Sequence, residues 1–175
     1  PSVVLYLMRE KGLSAEKIDE VLNRQSGLKG LSGLSSDLRE LLDATEKGNQ
    51  RSALAIHAFC YRIRKYIGAY TAAMSGLDCL VFTGGIGEGS ALVRSLACQG
   101  LSYMGITIDE MLNKNVSLRQ GEAFDISSEL SRVKVLIVPA DEGRMIARET
   151  IRALGYQNTA QTIRTQKEKK IPIEI

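Results

Sequence analysis

The stretch Cys79-Leu80-Val81-Phe82-Thr83-Gly84-Gly85-Ile86-Gly87-Glu88-Gly89-Ser90 decides the fold. Its opening run, Cys79 to Phe82, is short, apolar and bounded by turn residues, which predicts a buried strand. Thr83 to Gly89 reads as a glycine-rich loop, and Ser90 as the cap of a helix running to about Met104. Glycine lets a backbone approach a ligand closely, and the first N–H groups of the following helix have no partners within it. Neither familiar phosphate motif fits. A P-loop needs Gly-Lys-Ser/Thr, and a dinucleotide fingerprint read from Gly85 needs glycine or alanine where Ser90 stands. On loop shape alone, a structural turn and a ligand-binding turn are equally open.

A second apolar run, Val133 to Val138, predicts another strand, closed by Pro139 and Ala140 and followed by a helix from Asp141 to Leu154. Two strands, each feeding a helix, imply an α/β domain whose sheet is covered by helices, with binding at the carboxyl ends of the strands. Upstream, Val3 to Arg9 reads as a short helix, and Ser14 caps another from Ala15 to about Arg24. Ser26 to Gly33 reads as a glycine-punctuated loop. Ser36 then caps a helix with Asp37 in its first turn, stopped by Gly48. Asn49 opens the longest helix, to about Met74, with an apolar stripe of Ala53, Ile56, Cys60, Ile63, Ile67, Tyr70 and Met74. Asp109 to Asn113 reads as one or two helical turns. From Gln157 the apolar pattern fades, so residues 1–155 are expected to form the domain and 156–175 a tail or linker.

Composition bounds the function. The 175 residues are 44% apolar and 25% charged, a globular balance with room for one domain. With no Trp and few aromatics, aliphatic side chains must fill the interior. A net charge of +3, partly from Arg164, Lys167, Lys169 and Lys170, is too small to call for nucleic acid, and the basic tail has no interleaved aromatics. No apolar run approaches the roughly 20 residues of a membrane helix. Cys60, Cys79 and Cys98 are dispersed and odd in number, which predicts reduced, buried thiols and a cytoplasmic location. The sequence opens mid-pattern at Pro1 without Met, and the expectation is a piece of a longer chain.

Other segments carry chemistry. Ser35-Ser36-Asp37-Leu38-Arg39 places a hydroxyl, an acid and a base in one helical turn, able to hydrogen-bond a nucleoside; helix capping explains the same residues without a ligand. Val138-Pro139-Ala140-Asp141-Glu142 puts two carboxylates where a strand meets a helix, donors suited to Mg²⁺ or simply to a helix dipole. His57 has no cysteine or histidine beside it and reads as packed or at an interface. Arg94, one turn into its helix, either reaches the glycine loop or is solvated.

Taken together and in order, these segments resemble the acetate and propionate kinase family. The likeness is carried by Leu22-Asn23-Arg24-Gln25-Ser26-Gly27-Leu28, Gly30 to Arg39, Tyr66-Ile67-Gly68-Ala69-Tyr70, Phe82 to Glu88, and Val138 to Glu142 with Met145 to Thr150. It covers roughly residues 1 to 155. The resemblance implies the ribonuclease-H-like, actin-like ATPase fold of acetate kinases, sugar kinases, heat-shock chaperones and actin, of which this chain would be the C-terminal domain only. It implies that ATP or ADP is held by Asp37, Leu38 and Arg39 together with Gly84, Gly85, Ile86, Gly87 and Gly89, with Arg94 close by and Glu142 as a Mg²⁺ ligand. The reaction implied moves the γ-phosphoryl of ATP to a short carboxylate, acetate giving acetyl phosphate. The catalytic arginines and histidines and the carboxylate pocket are expected upstream of Pro1, leaving no catalytic residue in this chain and the isolated chain inactive. The resemblance further implies a homodimer formed through this domain. An alternative is a non-catalytic nucleotide-binding or dimerisation module. Two positions depart from the family pattern: Gly89 stands where asparagine is usual, and Gly143 where a second glutamate is usual.

Overall fold

In a computed structural model, residues 2–118 and 122–154 are described, and the tail expected from 156 lies outside them. The chain divides into two compact units, Pro1–Pro139 and Ala140–Ile175. The first begins with helices α1 (Ser2–Lys11), α2 (Ala15–Glu20), α3 (Gly27–Ser32), α4 (Leu38–Glu46) and α5 (Gln50–Ala73). Strand β1 (Cys79–Phe82) follows, then helices α6 (Gly84–Gly89), α7 (Ala91–Cys98) and α8 (Glu110–Lys114), and strands β2 (Phe124–Asp125) and β3 (Lys134–Ile137). The second unit contributes helix α9 (Glu142–Ala153). No helix among the described residues is long and apolar enough to cross a membrane.

The caps explain most helix starts. Ser14, Asn49, Ser90, Asp109 and Asp141 each accept a backbone N–H from the first turn they precede. Three expectations are corrected here. Ser26–Gly33 is not a loop: α3 occupies it, ending at Gly33 in the left-handed conformation (φ 68°). Arg51 of α5 donates through Nη2 to the carbonyl of Leu31 at 3.1 Å, so α3 is closed by a distant residue. The cap of α4 is Asp37 rather than Ser36, its carboxylate accepting from the Arg39 amide at 2.9 Å. The helix expected from Ala15 to Arg24 turns π-helical at Val21–Gln25.

The sheet has order β1-β3-β2, with β1 and β3 parallel and β2 antiparallel to β3. Strand parity sets its two faces. Leu80 and Phe82 align with Val135 and Ile137, and this face joins Ala97, Cys98, Leu101, Ile106 and Ile126 in one core. Val81 and Lys134, on the opposite face, stay exposed, so the strands are not buried on both sides as a purely apolar run suggests. A second core gathers Leu38, Leu41, Ala55, Ile56, Cys60 and Val93. Helix α7 bridges the two, giving Val93 to one and Ala97 and Cys98 to the other. The predicted stripe of α5 is buried at Ile56 and Cys60, but Tyr70 and Met74 at its far end are exposed, as is His57.

Candidate nucleotide-binding cleft

Helices α4 and α7 both pack on α5, where Leu38 and Val93 join one core with Ile56 and Cys60, and this sets the start of α4 near the start of α7. Between them opens a cleft of about 660 Å³. Asp37, Leu38 and Arg39 form one wall, and Gly84, Gly85, Ile86 and Gly89 the other. These residues, separated by more than forty positions in sequence, meet at the carboxyl end of β1, where Thr83 also lines the cleft. Leu42 and Ser90 complete it. Leu42 lies one helical turn from Leu38, and Thr83 and Ser90 flank the glycine motif, so spacing alone could have found all three.

The glycine segment is not the expected loop but a short helix, α6. Its glycines have different grounds. Gly84 adopts φ 73°, a conformation that disfavours any side chain. Gly87, assigned to the pocket from sequence, packs inward instead: a Cβ there would lie 3.3 Å from the carbonyl carbon of Phe82. Gly85 and Gly89 have neither reason, since φ is not positive and a Cβ would meet nothing within 4 Å. Both face the cleft.

The electrostatics oppose a phosphate at the mouth of α6. The Gly84 amide already donates to Glu88 Oε1 at 2.8 Å, so the chain's own carboxylate occupies that position. The walls beyond it are apolar at Leu38, Leu42 and Ile86, with polar groups at their edges. That arrangement suits a flat heteroaromatic group with polar edges. Arg39 is held by Asp37, with Nε at 3.1 Å and Nη2 at 2.6 Å from its two carboxylate oxygens. This bidentate hydrogen bonding, with the Arg39 amide, lowers the Asp37 carboxyl to about 2. The arginine side chain remains 88% exposed, aimed by its partner but open to a ligand.

Arg94 does not line the cleft. It is buried behind α6, donating to the carbonyls of Gly87 and Glu88 and to Asn113, a residue that sequence reasoning missed. Its signal was present in the helical phase: Arg94 falls four positions before the buried Cys98. Glu142 is the first residue of α9, with an exposed carboxylate, and belongs to the second unit. Asp141 beside it is committed to capping, accepting the Arg144 amide at 3.0 Å.

Residues 1–148 match the Acetokinase family. The chain belongs to that family. Its sequence is 49% identical over 155 residues to the acetate kinase of Dictyoglomus thermophilum, covering 89% of this chain and 38% of that protein. Among solved structures, Porphyromonas gingivalis acetate kinase is 46% identical, with a TM-score of 0.77 over 88% of this chain and 38% of that one. A propionate kinase from Francisella tularensis is 36% identical with a TM-score of 0.74, covering 85% of this chain and 37% of that one. This Acetokinase family chain therefore spans 38% of the length of the acetate kinase it matches in Dictyoglomus thermophilum, and its mixed α/β fold with a small sheet corresponds to part of theirs.

Proposed function

We propose that this chain is the nucleotide-binding part of an acyl kinase, taking the adenosine of ATP or ADP between α4 and α6. The observation that carries the reading is Gly85. Glycine in a helix costs up to about 1 kcal/mol relative to alanine, and at Gly85, in the first turn of α6, no backbone or packing constraint demands it. A missing side chain on the wall of a cleft is room for a ligand. Leu38 and Ile86 would face the base, and the Asp37–Arg39 pair the polar edges of the nucleoside. Glu142 offers the exposed carboxylate oxygen that Mg²⁺ accepts alongside water and phosphate oxygens, and we assign it that role. In the parent enzyme, of ribonuclease-H-like, actin-like fold, ATP with Mg²⁺ supplies the γ-phosphoryl, transferred to a short carboxylate such as acetate bound by the rest of the protein. A cytoplasmic location goes with this chemistry and with the reduced cysteines.

Isothermal titration of the chain with MgATP, beside a Gly85→Asp variant, tests the reading. Binding by the wild type that the variant abolishes supports it; binding by neither sinks it. The second reading, an assembly module, is favoured by the outer face of α5, where Leu54, Tyr61, Tyr66 and Tyr70 are each more than half exposed. We assign that face to a homodimer, which sedimentation of the wild type against Tyr66→Glu would test. A monomeric wild type overturns that assignment and leaves the nucleotide cleft untouched.

A further inference from the structure

The largest fully buried side chain in the described residues is charged. Arg94 is 2% exposed, and no carboxylate among those residues forms an ion pair with it. Its Nη1 donates to the carbonyls of Gly87 and Glu88, both at 2.8 Å, while Nε and Nη2 reach the side-chain and main-chain oxygens of Asn113 at 2.7 and 2.8 Å. Asn113 is itself fully buried, its amide donating to the carbonyl of Ala91 at 3.0 Å and to Ser95 Oγ at 2.9 Å. Burial without an anion disfavours the charged form and pulls the guanidinium pKa down.

Such an arrangement is a poor way to gain stability, since an apolar side chain of similar size would avoid the desolvation cost. Its geometry serves something else. Helix α6 contains Gly84, Gly85, Gly87 and Gly89 and is too short to hold itself by helix propensity. Glu88 ties its first amide, and Arg94 takes the carbonyls near its last turn that lack helical partners. Both ends of the segment are thus fixed by side chains, leaving Gly85 and Ile86 between them on the cleft wall.

We propose that Arg94, oriented by Asn113, is a positioning residue that holds α6 in the shape presented to the nucleotide; this rests on the nucleotide reading above. The test combines MgADP titration with hydrogen exchange for the wild type, Arg94→Lys, Asn113→Ala and the double variant, at temperatures where melting curves show each fully folded. Lysine keeps the charge but cannot span both carbonyls and Asn113. The expected result is an affinity loss of roughly 10-fold or more in each single variant. The double variant should lose no more than the worse single one, because both changes break one network. Exchange should quicken at amides 85–90 while those of Ile56 and Cys60 in α5 stay protected. Folded variants with wild-type affinity and unchanged exchange at 85–90 overturn the proposal. If Arg94→Lys does not fold, Asn113→Ala, which leaves the arginine in place, decides by the same measures. A wild-type chain that binds no nucleotide defeats the functional reading and this inference together, whereas a binding wild type with indifferent variants defeats this inference alone.

Discussion

Gly87 lies against the backbone of Phe82 so closely that an added Cβ would stand 3.3 Å from the Phe82 carbonyl carbon and 3.5 Å from its Cα. Gly85, two positions earlier in the same helix, has open space. The two glycines should therefore respond oppositely to alanine. Gly87→Ala pushes α6 off β1 and is expected to cost about 1–3 kcal/mol, as overpacking does. Gly85→Ala removes the helix penalty of glycine and is expected to stabilise by about 0.5–1 kcal/mol while weakening nucleotide binding. Urea melts and titrations on both variants check the pair. A Gly85→Ala chain that binds MgATP as well as the wild type removes the argument for a ligand at that wall.

Asp37 both caps α4 and grips Arg39, and its carboxyl is lowered from 3.8 to about 2. A depressed carboxyl pKa stabilises the folded state above the unfolded value, and that contribution disappears as pH falls through the folded one. Asp37→Asn keeps a cap acceptor but removes the charge. The difference in urea midpoint between wild type and Asp37→Asn should be constant near neutrality and vanish between pH 3.8 and about 2. A difference that persists at the acid end would mean the ion pair is not its source.

The thiols should separate by burial. Burial pushes Cys98 up to about 12 and Cys60 up to about 11, while Cys79 is only half-buried in β1. Because the thiolate is the reactive form, a disulfide reagent at pH 8 should label Cys79 first in the folded chain. Cys60 and Cys98 should react only as it unfolds. The same shifts imply stability that holds below the unfolded value of 9.0 and declines above it, as the unfolded chain alone ionises these thiols. Mass spectrometry of peptides after brief labelling reads the order directly; equal rates at all three would contradict the packing of α7 and α5.

What the sequence showed and what it hid divide along the range of the interactions. Asn49, Ser90 and Asp141 announced their helices because a cap acts within one turn. The strands β1 and β3 were legible as short apolar runs. Helices α3 and α6 were not, since glycine argues against helix locally and the opposing forces come from afar. Arg51 closes α3 from twenty positions away, and Arg94 with Glu88 clamps α6. The two-residue strand β2 exists only through pairing with β3 and has no pattern long enough to read. The cleft was legible as two motifs, but it is the packing of both α4 and α7 on the distant helix α5 that makes them neighbours.

That cleft contains one basic side chain among its described lining, Arg39, and its guanidinium is already bound to Asp37. Phosphoryl transfer needs positive charge spread around three equatorial oxygens as well as in-line placement of the acceptor. A single arginine committed to a neighbouring carboxylate supplies neither. The chain alone should therefore bind MgATP yet form no acetyl phosphate from acetate. Trapping of acyl phosphate with hydroxylamine, run beside a complete acetate kinase, measures this. A rate comparable to that of the complete enzyme would show that these 175 residues hold a catalytic apparatus that the cleft as described does not provide.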